Sequence, residues 1–442
     1  MSRDHETPPP RSPQAEDVLS EDWPSGDPKT GEEASSLIPP IDPQAFRWQG
    51  DGDEPVLWVM HCSEGPVPAE AVASAGGFLD KEAAPWRIRW VEDFQGIPQR
   101  VRRAAGKVLG CAAEDVTLTA TTSTALGTIA QGYPWRSGDE VVVPLGEFPS
   151  NLWPWRTLAP RGVGLREVPL WDGHRAGAEA LATVPPTLDA EPEQRLLDAI
   201  GPATRVLAVS WVRFQDGLRL DLPRLAEGCR RRGVDLVVDG IQGAGCLPPT
   251  LEGVAAFATG CHKGLLAPQG MGLLWTSPEL RQRLTPPGGW LSVEDATDFQ
   301  RPSTDFDRGF VAGGEALEMG VPNLLGCAAL TVSLELIAAA GLAAIAAHVD
   351  ALQELFLGDL HEIPDWRQEA RRLELLRRSR SLGPILSLHH GGRGGEVLEE
   401  LMEEGFQRGI YSSVREGYLR IAFHGWHTSE DVERLLRWLA EL

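Results

Sequence analysis

The sequence predicts an α/β fold built on a mostly parallel sheet, and three stretches carry that prediction. The apolar run Val234-Asp-Leu-Val-Val238 stops at Asp239 and the glycine-rich turn Gly240-Ile-Gln-Gly-Ala-Gly245. Strands of parallel sheets, buried on both faces, read as such runs, and open α/β sheets bind ligands at the carboxyl ends of their strands. Val116-Thr-Leu-Thr-Ala120 reads as another strand, followed by the hydroxyl-rich turn Thr121-Thr-Ser-Thr124 and a helix from Ala125 to Ala130. The third stretch, Ala258-Thr-Gly-Cys-His-Lys263, brings a lysine to a strand end.

The other elements are read in chain order. The first 44 residues hold ten acids and three basic residues, with Pro8-Pro-Pro10. That composition cannot bury enough apolar surface to offset the entropy of ordering, so residues 1–44 are expected to form a disordered acidic tail, and without an apolar segment no signal peptide. Residues 172–195, with Pro185-Pro186, read as a loop insertion between the strands at 163–170 and 205–211. The apolar stretch 324–347 is nearly long enough to span a bilayer. Glu335 interrupts it and its Ala and Gly supply little transfer energy, so buried helices are expected. Near the C-terminus, 384–389 reads as a strand and Gly391-Gly-Arg-Gly-Gly395 as a flexible turn. Val397, Leu398, Leu401 and Met402 fall at helical spacing, Tyr418–Phe423 alternates as a strand, and Val432, Leu435, Leu436 and Leu439 form the stripe of a last helix.

The chain's 442 residues suffice for two or three domains. A net charge of −22 repels nucleic acid and anionic membranes, so neither is an expected partner. The six cysteines form no C-x-x-C pair and no dense framework; a reducing, cytoplasmic setting and no metal are expected.

Lys263 is one of four lysines beside 37 arginines. A guanidinium stays protonated, whereas a lysine in a desolvated site can lose its proton and form a Schiff base with an aldehyde. Asp239, taken alone, is an ordinary helix cap or turn former. Together, Asp239 and Lys263 meet the two demands of pyridoxal 5'-phosphate, an amine for its aldehyde and an acid that keeps its ring nitrogen protonated. Gln242 is placed to hydrogen-bond the ring hydroxyl. Thr121–Thr124 either cap the helix that comes after them or, with its free N–H groups and dipole, cradle a phosphate. Neither a Walker loop nor a dinucleotide fingerprint is present.

Eight segments in order then carry a resemblance: Thr121-Thr-Ser-Thr-Ala125, Glu147-Phe-Pro-Ser-Asn-Leu-Trp-Pro-Trp155, Ser210-Trp-Val-Arg-Phe-Gln-Asp-Gly217, Val238-Asp-Gly-Ile-Gln-Gly243, His262-Lys263, Gly289-Trp-Leu-Ser-Val-Glu294, Gly320-Val-Pro-Asn323 and Leu419-Arg-Ile-Ala422. The sequence resembles the class V aminotransferase group of fold type I pyridoxal phosphate enzymes, which contains cysteine desulfurases, selenocysteine lyases and isopenicillin N epimerase. It looks nearest the epimerase-like branch. The resemblance implies a large cofactor-binding domain, residues 45–320, with a mostly parallel seven-stranded sheet between helices, and a small C-terminal α+β domain, residues 321–442. It implies Lys263 as the Schiff-base lysine, Asp239 at the ring nitrogen, Gln242 at the ring hydroxyl, and Thr122, Ser123 and His262 at the phosphate. Phe148 would stack on the ring, Trp290 and Ser292 would reach the neighbouring subunit's site in a homodimer, and Arg420 would grip the carboxylate of an amino-acid-like substrate. By residue type alone, Arg420 is equally a surface ion pair.

Three departures shape the functional expectation. Phe148 stands where desulfurases place a histidine, and the segment Ser412-Ser-Val-Arg-Glu-Gly-Tyr418 lacks their nucleophilic cysteine. Ala316-Leu-Glu318 replaces a family Arg-Phe-Glu, which removes one substrate or interface contact. The expected function is therefore chemistry at an α carbon, as a transaminase, epimerase or lyase, with a desulfurase or selenocysteine lyase as the alternative. A non-catalytic descendant of the fold is the alternative of another class.

Overall fold

The apolar runs become the inner strands of a seven-stranded sheet. The structure, a computed structural model, describes residues 37–48, 55–390 and 394–441. Its strands are β1 (Leu57–Trp58), β2 (Val116–Thr119), β3 (Glu140–Pro144), β4 (Gly164–Val168), β5 (Thr204–Ser210), β6 (Asp235–Asp239), β7 (Ala256–Gly260), β8 (Gly272–Thr276), β9 (Ile385–His389), β10 (Ile410–Tyr411), β11 (Ser413–Arg415) and β12 (Tyr418–Ala422). The large sheet has the order β2-β8-β7-β6-β5-β3-β4. The strands from β7 to β4 are parallel neighbours, and β8 runs against both β7 and β2. All strands but β8 thus point their carboxyl ends to one edge. Val206–Val209 of β5 and Leu236–Val238 of β6 are fully buried, as strands covered on both faces must be.

The longer helices are α1 (Ala69–Glu82), α2 (Gly96–Leu109), α3 (Thr122–Gly132), α4 (Leu222–Arg232), α5 (Leu324–Ala340), α6 (Leu342–Leu360), α7 (Arg367–Arg378), α8 (Gly394–Gln407) and α9 (Ser429–Leu439). The apolar stretch that begins at Leu324 forms α5 and enters α6, which bend by 73° at Gly341. α5 packs against α1 and α2 with Glu335 turned outward, and α6 packs against α7 and α9. Among the described residues no single helix is long and apolar enough to cross a membrane. The insertion at 172–195 is a run of short helical turns. α9 is capped one residue earlier than its acidic turn suggests, because Thr428 and Asp431 form a capping box.

A three-stranded antiparallel sheet, β11-β12-β9, is the framework of the C-terminal part. Residues before the large sheet join it: β1 pairs in parallel with β10, and Met60 bridges Ala422. The expected boundary, which gave residues 45–320 to the large domain, therefore divides the chain differently from its hydrogen bonds. The cause is that the outer backbone groups of β10 and β12 need partners, and residues 57–60 supply them.

The expected acidic tail lies outside the described residues as far as residue 36, as do residues 391–393 of the expected glycine-rich turn. The expected limit of the tail at residue 44 is too late, because Ile41 already belongs to the fold. Its N–H donates to the Gly425 carbonyl at 2.9 Å, and its side chain is buried. Phe46 sets its ring 5.0 Å from that of Trp426. A chain beginning at residue 48 is expected to melt well below one beginning at residue 37. Each lost apolar side chain costs about 2–5 kcal/mol at a buried site, and thermal unfolding of the two forms checks it.

Candidate active site

The carboxyl edge of the sheet gathers the residues that the sequence singled out. β7 ends at Gly260, and the chain turns so that the Leu266 N–H reaches the Lys263 carbonyl at 3.0 Å. Two glycines approach this turn where no other residue fits. A Cβ on Gly65 would lie 2.0 Å from the Lys263 carbonyl oxygen, and one on Gly245, at φ +88°, 2.0 Å from that of Gly264. The Gly65 N–H donates to the His262 carbonyl at 2.7 Å. From the C-terminal part, His424 donates Nε2–H to the Gly264 carbonyl at 2.9 Å. Lys263 is consequently buried and its Nζ stands 5.7 Å from the centroid of the Phe148 ring. Burial holds its pKa down, to about 8.

β6 delivers Asp239, buried beside this lysine. One oxygen accepts the Ile241 N–H at 3.0 Å, and the other carries no hydrogen bond among the described residues. Burial, seconded by the carboxylate of Glu147, outweighs Ile241 and Lys263 and raises the Asp239 pKa to about 7. Glu147 is itself buried and accepts from the Ser210 N–H at 2.9 Å and its hydroxyl at 2.5 Å. Gln242 spends its amide N–H on the Cys62 carbonyl at 3.0 Å.

The hydroxyl-rich turn divides its labour. Thr121 is the cap of α3, accepting the Thr124 N–H at 3.0 Å. Ser123 donates to Ser150 at 2.8 Å. Thr122 is buried and its hydroxyl has no partner among the described residues. Opposite it stands His262: a Cβ on Gly260 would meet Thr122 Oγ1 at 3.1 Å and His262 Cε1 at 3.2 Å. An orphaned buried hydroxyl at a helix start, facing an imidazole across a bare glycine, fits a phosphate group.

The other end of the cleft is built around Arg420 on β12. Its guanidinium is buried and donates to the Phe214 carbonyl at 2.9 Å, Ser63 Oγ at 2.9 Å and Ser413 Oγ at 3.1 Å. Among the described residues it has no carboxylate partner, so the surface ion pair is not what this arginine makes. The Phe214 ring meets Phe148 edge-on at 5.1 Å.

The profile of one protein family, Aminotransferase class-V, matches residues 88–435. The chain belongs to that family. A cysteine desulfurase of Shigella flexneri is 25% identical over 399 residues, 82% of this chain and 89% of that protein. Isopenicillin N epimerase of Streptomyces clavuligerus is 27% identical over 227 residues, 51% of this chain and 54% of that protein. The chain spans 43% and 58% of the length of the first curated relatives it matches. Among solved structures, the cystine C-S lyase C-DES in complex with its reaction product cysteine persulfide superposes with a TM-score of 0.71 at 22% identity, covering 86% of this chain and 96% of that one. The architecture is that of fold type I pyridoxal phosphate enzymes, as the motif order implied.

Not every family position converges in this class V aminotransferase chain. Trp290 is half-exposed, and the fully buried Ser292 donates its hydroxyl to the Gly289 carbonyl at 2.6 Å, so neither is brought to the site of its own chain. Glu318 accepts from Arg102 at 2.6 Å and from the Leu118 N–H at 2.8 Å, tying α2 to β2. Sequence reasoning missed Cys62. The segment 412–418 has no cysteine of its own, yet Cys62 Sγ lies 3.9 Å from Ser413 Oγ within it. Its neighbours in space include Lys263, Gln242 and, through Ser413, Arg420. Only its place in His61-Cys-Ser-Glu-Gly65, next to the glycine that the lysine turn requires, could have pointed to it.

The two perturbed groups set an expectation for the cofactor-free protein. Asp239, raised from 3.8 to about 7, contributes stability below its unfolded value and loses it as pH rises through 7. Lys263, lowered from 10.5 to about 8, contributes above its unfolded value and loses it as pH falls through 8. Between pH 7 and 8 both groups carry charge, and the cost of burying the two is then greatest. Asp239→Asn is therefore expected to melt at or above the parent temperature at pH 8, read by thermal unfolding; a markedly lower value would make Asp239 a structural anchor.

Proposed function

We propose that this protein is a pyridoxal 5'-phosphate enzyme acting at the α carbon of an amino acid or amino-acid-like substrate, as a transaminase, epimerase or lyase. The observation that carries the reading is one cluster of a buried lysine, a buried carboxylate with a free oxygen and a buried guanidinium without a counter-ion. Membership of the family supports it, as do relatives named cysteine desulfurase and isopenicillin N epimerase.

When bound, the cofactor supplies an electron-accepting ring next to the substrate's α carbon. Lys263 would hold it through its aldehyde, since burial keeps a fraction of that amine neutral near pH 8. Asp239 would hold a proton on the ring nitrogen with its free oxygen, and Gln242 would face the ring hydroxyl. Phe148, braced by Phe214, would cover one ring face and exclude water. Thr122, Ser123, His262 and the first N–H groups of α3 would take the phosphate. Arg420 would orient the substrate by its carboxylate, and Lys263, once released, would move a proton at the α carbon. Trp290 and Ser292 would complete the neighbour's site in a homodimer.

Borohydride treatment of the purified protein is expected to leave the cofactor on the peptide that contains Lys263, read by mass spectrometry after digestion. An adduct on Lys81 or Lys107 instead would sink the assignment.

Cys62 favours a second reading, as a desulfurase. Against it, Cys62 is buried and flanked by residues pinned to the lysine turn and to Arg420, whereas carrying sulfur away requires a mobile thiolate. Cys261 is fully buried and burial pushes its thiol well up, so it is no nucleophile. Incubation with cysteine is expected to give no persulfide and alanine above background. Sulfide release that Cys62→Ser abolishes would restore the desulfurase; Cys261→Ala is expected to change no rate.

A further inference from the structure

The small sheet carries a second guanidinium that the proposed function leaves unused. Ser413 opposes Arg420 across β11 and β12, Arg420 opposes Ser387 across β12 and β9, and Arg415 opposes Tyr418. Directly opposed residues of antiparallel strands share a face, as do residues two apart on one strand. Arg415, Ser413, Tyr418, Arg420 and Ser387 therefore share one face, with Val414, Leu419 and Ile421 on the other. The polar face meets Phe214. Arg420 donates to the Phe214 carbonyl, and the Arg415 guanidinium carbon stands 5.8 Å from the centroid of its ring. The Phe214 ring in turn meets Phe148, over which the Lys263 amine stands.

Arg415 is exposed at this position, and among the described residues it makes neither a hydrogen bond nor an ion pair. Other exposed arginines, Arg87 and Arg103 among them, share that lack; Arg415 differs from them in standing over the Phe214 ring, whose carbonyl Arg420 binds. Both Arg415 and Arg420 disfavour the ammonium form of Lys263, so the fields of both reach the lysine. Ser387, on the same face, keeps a fully buried hydroxyl without a partner among the described residues. Phe214 thus has two guanidiniums without counter-ions beside it, the buried Arg420 and the exposed Arg415.

Resting on the proposed function, we infer that the substrate is an amino acid whose side chain ends in a second anion, a carboxylate or another oxyanion, with its α-carboxylate on Arg420 and the distal anion on Arg415. A guanidinium presents paired N–H donors that match an oxyanion in two bonds, and the Phe214 face holds that fork in place. The Phe214 ring, which meets Phe148 edge-on, gives the methylene groups of the side chain an apolar surface. Because Arg415 is exposed, water screens the distal contact, and its gain is about tenfold in affinity.

Calorimetric titration of the protein as purified tests this with anions that cannot react. Succinate and glutarate are expected to bind about tenfold tighter than butyrate and valerate, the monocarboxylates of equal length. Arg415→Gln should erase that difference, Arg415→Lys should keep part of it, and Arg420→Gln should weaken both kinds of ligand. Equal affinities for mono- and dicarboxylates, or a difference that survives in Arg415→Gln, would overturn the inference. Failure of the proposed function has another signature, borohydride leaving no cofactor on Lys263 whichever anions bind. Turnover of aspartate, glutamate, cysteine sulfinate and O-phosphoserine beside alanine and asparagine then identifies the distal oxyanion; neutral amino acids turned over in preference would equally overturn it.

Discussion

The backbone of the Lys263 turn is held from three sides, and its surroundings are organised by that constraint. The Lys263 and Gly264 carbonyls are met by Gly65 and Gly245 at distances that leave no room for a side chain. A third hold comes from His424. Its Nδ1 accepts the Gly425 N–H at 2.7 Å, which leaves the proton on Nε2 to bind the Gly264 carbonyl. Burial keeps that ring neutral by lowering its pKa to about 3. His427 repeats the pattern, accepting the His424 N–H and reaching the Trp58 carbonyl. Residues from three distant parts of the chain thus fix one turn, and the side chain can move while the main chain stays.

The segment 57–65 has a double allegiance that explains how the two ends of the cleft stay in register. Leu57 and Trp58 pair with β10, and Met60 bridges β12 of the C-terminal sheet. A few residues on, the Cys62 carbonyl takes the Gln242 amide, Ser63 takes the Arg420 guanidinium, and Gly65 locks onto the lysine turn. One short stretch therefore links the lysine turn and the Arg420 end of the site. It does so with backbone and small side chains, which leave little freedom for relative displacement.

The charges of the site follow from the same compactness. Glu147, Asp239 and Lys263 are taken out of water, and burial dominates the shift of each. Arg420 is taken out of water too, but with three neutral acceptors in place of a carboxylate. A buried cation without a counter-charge is costly, and an anionic ligand removes that cost. The arrangement suits a site whose charges are completed from outside.

The sequence by itself determined the sheet class, the strand end at Asp239, the lysine in the turn after a strand, and the family, because apolar runs, glycine turns and motif order are local properties that survive in one dimension. It also put a hydroxyl-rich segment between β2 and α3, but the helix begins at Thr122 and not at Ala125, so three of the four hydroxyls lie in its first turn, and which was free was not legible: Thr121 caps, Ser123 binds Ser150, and Thr122 is left open. Tertiary structure decided what depends on contacts between distant segments. Cys62 and Ser413 are 351 residues apart, and no spacing rule relates them. The place of residues 57–60 against β10 and β12 was likewise hidden, because the pairing needs of those strands are invisible until they are assembled. Arg415 looked like any other arginine in a chain of 37. Its lack of a partner is a property of the fold, since a charge is unpaired only with respect to what surrounds it.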